Sequence, residues 1–257
     1  KFLKKIKRTK LLAAGLCVIL TLVLSYLLYA SEFKYTHDKN DLAAAVTEFT
    51  APTKHGVDAY VLETKEIDGM LILSFKDQSV PDVYGIAVLK KGINQRYRII
   101  RANIQPSGYT SVVQIYPIEI KNRNYYAVSG YNLSNEIQYY GLDFSAYKNP
   151  GYLSHDRVRV VVKFDVKNPQ FLEIYPQEQL EKRFENTAGN TLYNPHLTDT
   201  SLYDASGMEI TDHFISKNST HNQGGSGIGK AELFMLYVFI AIVIGLGYLF
   251  TRYFLTQ

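Results

Sequence analysis

Two stretches without a single charged side chain, one near each end, constrain this chain more than any other feature. The charge-free runs are Leu11–Ala30 (LLAAGLCVILTLVLSYLLYA) and Leu233–Phe250; with Ala231 and Glu232 at its polar edge the second extends to Ala231–Phe250 (AELFMLYVFIAIVIGLGYLF), so that each span supplies 20 residues. A helix rises ~1.5 Å per residue, so ~20 apolar residues cover the ~30 Å hydrocarbon core of a bilayer. Both stretches are therefore expected to be transmembrane helices. The first is too long for the ~7–15-residue core of a cleaved signal peptide, and Leu28-Tyr29-Ala30 is a poor cleavage site. Leu16 likewise spoils a lipoprotein site at Cys17, which reads as a small packing residue.

Charge fixes the expected orientation. Of a net +4, the first ten residues contribute +6 through Lys1, Lys4, Lys5, Lys7, Arg8 and Lys10. Arg252 follows the second stretch, and segment 31–230 carries −2. Basic residues stay on the cytoplasmic side. The expected organisation is a cytoplasmic tail (1–10), a first span (11–30), an extracytoplasmic domain (31–215), a Gly/Ser/Asn-rich tether (216–230), a second span (231–251) and a cytoplasmic tail (252–257). The expectation is thus a two-pass protein of the cell membrane with both termini inside. Tyr26, Tyr29 and Tyr35 at one end, and Tyr248 and Tyr253 at the other, suit the two interfaces. Each span carries a small-xxx-small pair, Ala13 with Cys17 and Ala241 with Gly245, that would let helix backbones approach.

The central segment reads as α+β and mostly antiparallel, with two or three short helices. Asp41–Thr50 reads as a helix capped by Asp41 and stopped by Pro52. Tyr60–Glu66 and Met70–Phe75 flank the hairpin signal Asp68-Gly69. Tyr84–Lys90 and Arg96–Ala102 flank Gly92-Ile93-Asn94. Val112–Ile120 and Tyr125–Gly130 flank Lys121–Asn124, and Ile137–Leu142 reads as a further strand. Arg157–Asp165 alternates apolar Val158, Val160, Val162 and Phe164 with polar neighbours, the period of a half-buried strand. Phe171–Tyr175 follows, and Pro176 opens a helix over Gln177–Asn186. Segment 187–200 reads as loop, and Leu202–Ile210 as a terminal hairpin turning at Ala205-Ser206-Gly207. Such a domain is long enough to bury its own core.

Several function classes lose support. The weak basic bias excludes a basic nucleic-acid-binding domain, and one cysteine excludes a disulfide scaffold. Gly224 to Gly229-Lys230 matches phosphate-loop spacing, but Ala231 stands where a Mg²⁺-binding hydroxyl is required. The six histidines (His37, His55, His155, His196, His213 and His221) show no zinc-ligand spacing. Asp204, Ser206, Glu209 and Asp212 lack the full calcium-loop pattern and read as a turn. G-x-S-x-G is absent, and the side chains of adjacent His155-Asp156 are expected to diverge. No catalytic residue, cofactor or metal is assigned; a cryptic hydrolase would need a site assembled across the fold.

What remains concerns surfaces. Lys90, Lys91, Arg96, Arg98 and Arg101 fall on one expected hairpin, with Arg96 and Arg98 on one face and Tyr97 and Ile99 on the other. Arg157, Arg159 and Lys163 line a second outward row. Such rows either meet an anionic partner or blunt a sheet edge. Tyrosine doublets at Tyr125-Tyr126 and Tyr139-Tyr140 add candidate interface residues, since tyrosine is enriched where proteins meet. The expected partners are the lipid bilayer, a membrane protein and an anionic envelope ligand. The expected function is a non-enzymatic protein-binding or regulatory module, an accessory subunit of a membrane assembly. The alternative is an envelope-ligand binder acting through the basic, tyrosine-rich surface. Abundant Lys, Asn and Tyr with no Trp is compatible with a Gram-positive surface protein.

Overall fold

The computed structural model describes residues 2–52, 56–80, 83–106, 112–131, 133–148, 157–188, 192–215, 226–229 and 233–256. The fold is α+β, with antiparallel sheets between two long terminal helices. Helices α1 (Phe2–Glu32) and α4 (Phe234–Thr256) are long and apolar enough to cross a membrane, with mean hydropathies of 2.6 and 2.3 over an 18-residue stretch within Thr9–Glu32 and within α4. They pack on each other along one seam. On α1 the shielded positions are Ala14, Cys17, Thr21, Ser25 and Leu28; on α4 they are Leu236, Ile240, Val243, Gly247 and Thr251. This three-or-four spacing is that of paired helices.

The point of closest approach differs from the sequence expectation. A Cβ on Gly247 would lie 2.0 Å from Thr21 Oγ1, whereas a Cβ on Gly245 would meet nothing within 4 Å. Ala13 and Cys17 lie on the contacting side of α1, but Ala241 and Gly245 face away from it. Spacing alone marks small residues without saying which way they point. Thr21 Oγ1 and Thr251 Oγ1 donate to the carbonyls four residues back, Cys17 O and Gly247 O, so neither hydroxyl is left unpaired in the seam.

The central domain is built in layers. Sheet A runs in the order β1 (Ala59–Ile67), β2 (Met70–Asp77), β3 (Val83–Lys91), β4 (Tyr97–Pro106) and β11 (Ser226–Gly229). The β1–β2 reversal places Asp68 and Gly69 at φ 50° and 77°, the backbone of the tight hairpin that an Asp-Gly pair favours. One face of sheet A packs on α2 (Lys39–Thr50) through Leu71, Leu73, Phe75, Leu89, Tyr97 and Ile99. The other face meets sheet C, built from β5 (Val113–Ile120), β6 (Arg123–Gly130) and β9 (Phe171–Pro176), through Ile72, Ile86 and Val88. With both faces covered, β3 reads as an unbroken buried run from Gly85 to Leu89.

The far face of sheet C packs on sheet D, in the order β10 (Tyr193–Tyr203), β7 (Tyr139–Tyr147), β8 (Arg157–Asp165), and on α3 (Gln177–Ala188). Tyr140, Leu142, Phe144 and Phe164 fill that layer with Leu180 and Phe184 of α3.

Three local expectations are corrected. Asp38, not Asp41, caps α2, its carboxylate accepting from Asn40 N at 2.9 Å. Asp41 instead accepts from Thr36 Oγ1 at 2.6 Å, which lowers its pKa. The segment read as loop over 187–200 supplies most of β10, which pairs with β7 from Tyr193 to Tyr203. Its mixed composition hides a strand that is stabilised by pairing rather than by an alternating pattern. The segment read as a tether, 216–230, contributes β11, whose Ser226–Gly229 pairs with Ile104–Arg101 of β4.

Candidate membrane-proximal interface

Strand β4 receives the chain next to both terminal helices: Tyr35 after α1 and β11 before α4. β3 occupies one of its edges. On the other, Tyr35, just past α1, bridges Tyr97 by paired backbone hydrogen bonds of 3.2 and 2.7 Å, and β11 follows along Arg101–Ile104. A backbone edge accepts any sequence that can extend, which is why the Gly-rich stretch before α4 can serve.

The last turn of α1 is fastened to the β3–β4 turn by side chains as well. Tyr29 Oη accepts from Ile93 N at 2.8 Å, Asn94 Nδ2 donates to Phe33 O at 2.9 Å, and Arg96 Nη1 donates to Lys34 O at 3.0 Å. Tyr29 stacks on Phe33 with ring centroids 4.6 Å apart. Gly92 is fitted between them: a Cβ there would lie 2.6 Å from Phe33 Cδ1 and 2.6 Å from Tyr29 Oη. Tyr35 donates to Glu48, which also pairs with Lys34 at 2.7 Å. Tyr97 donates to Glu66 at 2.6 Å. Burial, reinforced by those carboxylates, pushes both phenols up to about 12.

The basic residues of this hairpin divide. Arg98 is buried, 4% exposed, and its Nε donates to Glu32 Oε2 of α1 at 2.9 Å. The expectation that Arg98 joins Arg96 on a solvated face is therefore corrected. It fails because the end of α1 lies against this part of sheet A and supplies Glu32 as the partner of Arg98, which alternation along β4 does not reveal. A bulge also intervenes: Val88 pairs with Arg101 and Leu89 with Ile99, leaving Ile100 extra and switching the side on which Arg101 stands. Lys90 is half-buried, and Lys91, Arg96 and Arg101 are exposed. Among the described residues, no carboxylate lies within ion-pair distance of these four.

The second basic row is satisfied within the chain. Arg159 Nε donates to Asp143 Oδ2 at 2.8 Å, and its two terminal nitrogens reach Glu209 at 3.1 and 3.0 Å. Ser201 donates to the other Asp143 oxygen at 2.7 Å. Desolvation raises the pKa of Asp143 despite these donors, while Arg159 holds Glu209 below its ordinary value. Lys163 lies 3.6 Å over the Tyr203 ring, and Arg157 lies 5.7 Å over Tyr147.

The tyrosine doublets do not form an exposed patch. Tyr125 is buried in the layer between sheets A and C, donating to Asp68 Oδ2 at 2.9 Å. Tyr126 points to the opposite layer. Tyr140 is buried, bonded to Glu173 at 2.9 Å and to Tyr175 at 2.7 Å, and Tyr139 is half-buried at the end of β7. An open polar cleft of about 520 Å³ lies between Asn122–Tyr125 and the start of α3, lined also by Gln177, Glu178 and Glu181. Among the described residues, no group of three or more His, Cys, Asp or Glu side chains could hold a metal. His55, His155, Asp156 and His221 lie outside the described residues.

Sequence reasoning missed Tyr29, Glu32, Gly92, Ile93 and Asn94 as members of this junction. Gly92-Ile93-Asn94 reads as a turn, but nothing in its spacing points to partners some 60 residues earlier. No protein-family model, curated protein or solved structure matches this chain.

Proposed function

We propose that this chain is a two-pass membrane protein whose central domain lies outside the cytoplasm and works without catalysis as a protein-binding or regulatory module, an accessory subunit of a larger membrane assembly. The observation that carries this reading is the double attachment at β4. α1 is bonded to the β3–β4 turn and to Tyr97, and β11, which precedes α4, pairs with the same strand. A domain fastened at both ends to one strand faces the bilayer in one orientation. Restricting it to that surface raises its effective concentration against a membrane partner. The outward placement rests on the six basic residues before Leu11 and on Arg252 after the second span.

Gentle extraction of the full chain, followed by sizing and mass spectrometry, tests the reading. A stoichiometric membrane partner is expected; a lone monomer overturns the accessory role. Protease added to intact cells should remove the central domain and spare both helices.

A second reading, an anionic envelope ligand, is favoured by one observation: Lys90, Lys91, Arg96 and Arg101 have no carboxylate within ion-pair distance among the described residues. Ligand binding should then weaken with salt and fail when Lys91, Arg96 and Arg101 are replaced by Glu.

A further inference from the structure

The tip of the β3–β4 hairpin combines three properties that are usually kept apart. It carries a large apolar side chain in the open, Ile93, 82% exposed. It is flanked by Lys90, Lys91 and Arg96, none with a carboxylate at ion-pair distance among the described residues. And it is bonded directly to a helix that is apolar enough to cross a membrane, Ile93 N donating to Tyr29 Oη at 2.8 Å.

The height of that bond is what matters. Tyr29 is the penultimate residue of the charge-free run Leu11–Ala30. Side chains on a helix lean toward its N-terminus, so the Tyr29 ring leans back along the span, toward the hydrocarbon. The hydroxyl of such a tyrosine sits at the boundary between acyl chains and headgroups. A backbone amide within hydrogen-bond distance of it sits there too. The backbone of Ile93 is thereby held at that boundary. Gly92 packs against Tyr29 and Phe33, and Asn94 holds the Phe33 carbonyl, so the tip has no freedom to swing away.

We propose that the β3–β4 turn is a bilayer-inserted tip: Ile93 enters the outer edge of the hydrocarbon, and Lys90, Lys91 and Arg96 bind the phosphates of lipid headgroups beside α1. This rests on the reading of α1 as a membrane span. Long basic side chains with apolar stems suit that depth, because the stem stays in the apolar boundary while the charge reaches a phosphate. Arg98 takes no part, its guanidinium being turned inward to Glu32. The arrangement gives the domain a third point of attachment beyond its two spans and fixes its tilt.

The test uses the full chain in lipid nanodiscs, with Cys17→Ala as background and a spin label at one introduced cysteine, at Leu20, Ile93 or Met208. Leu20 reports the span, and Met208, exposed in the turn after β10, reports water. Accessibility to oxygen against a water-soluble nickel chelate gives depth. The expected result is a lipid-like ratio at Leu20 and Ile93 and a water-like ratio at Met208. A water-like ratio at Ile93 with a lipid-like one at Leu20 overturns the tip and leaves the span intact. A water-like ratio at Leu20 removes the span and the tip with it.

The lipid contribution is read by comparing discs of phosphatidylcholine alone with discs that also contain phosphatidylglycerol. The label at Ile93 should sit deeper in the anionic discs. The combined Lys90→Ser, Lys91→Ser and Arg96→Gln variant should abolish that difference. Equal depth in both lipids overturns the headgroup assignment. So does a label that stays in water and is shielded only when soluble polyphosphate is added, an outcome that transfers the basic cluster to an envelope polymer.

Discussion

The two basic rows look alike as sequence and differ as structure. On β8, Arg159 is closed off by Asp143 and Glu209, Lys163 lies on Tyr203 and Arg157 on Tyr147. On the β3–β4 hairpin, Arg98 pairs with Glu32, while Lys91, over the Tyr97 ring at 5.9 Å, Arg96, bonded to the Lys34 carbonyl, and Arg101 stand exposed with no carboxylate at ion-pair distance among the described residues. A charge with a built-in counter-charge is part of the scaffold. A charge without one is available to an external anion. The distinction rests on folded geometry, because Asp143, Glu209 and Glu32 are 16, 50 and 66 residues from the arginines they satisfy.

The largest expected effect tests whether Arg98 belongs with the β8 row despite its place in the hairpin. Arg98→Met removes the buried guanidinium that donates to Glu32, which should cost about 3 kcal/mol, the lower end for a broken buried pair. Chemical denaturation of the protein in detergent should show it as a lowered midpoint. An unchanged midpoint would mean that Arg98 is an ordinary surface residue and that the two rows do not differ in this way.

Next is Arg159→Met. It strands Asp143, whose side chain is 8% exposed, but half of the Arg159 side chain is in water. Solvent screening reduces the loss to about 2 kcal/mol. The same variant sharpens a pH prediction. Arg159 depresses the pKa of Glu209 in the folded state. The stability Glu209 contributes is therefore present above its ordinary value of 4.5 and is lost as pH falls through the depressed folded value. A melting series from neutral to acid pH should show that loss in the parent protein and a smaller one in the variant.

Gly92→Ala probes the posture of the hairpin rather than its charge. A Cβ there has 2.6 Å to Phe33 and Tyr29, so the turn must shift away from α1. Overpacking of this kind costs about 1–2 kcal/mol. A disulfide trap between Tyr29→Cys and Ile93→Cys should then close more slowly. The smallest effect belongs to the exposed members of the hairpin row. Lys91→Ser and Arg101→Ser should each change stability by less than about 0.5 kcal/mol. A larger loss at either position would reveal an internal partner and erase the contrast with β8.

Legibility followed range. The two apolar helices, the reversal at Asp68-Gly69, the alternation of β8 and the Pro176 start of α3 are local signals, and each lies where its residues suggest. Strand β10 was not readable, because Tyr193–Tyr203 alternates poorly and depends on β7 for its hydrogen bonds. Nor was β11, whose Gly-rich Ser226–Gly229 resembles a linker until an open edge of β4 receives it. In the candidate interface, Lys90, Lys91, Arg96 and Arg101 could be picked out by charge, whereas Arg98 was assigned wrongly and Tyr29, Glu32 and Ile93 were missed. A period of two assigns sides of a strand, but it does not say whether both sides are covered.

The sequence by itself determined the two apolar helices, the basic start that biases their direction and the antiparallel character of what lies between. These follow from side-chain hydrophobicity and backbone preference, which act over a few residues. Tertiary structure alone decided that the segments adjoining both helices, Tyr35 and β11, pair with β4, that Gly247 rather than Gly245 faces Thr21, and that the hairpin's charges divide into one neutralised arginine and an open cluster. Those outcomes depend on which distant groups come within a few ångströms, and hydrogen bonding and Coulomb attraction at that range are set by packing rather than by sequence spacing.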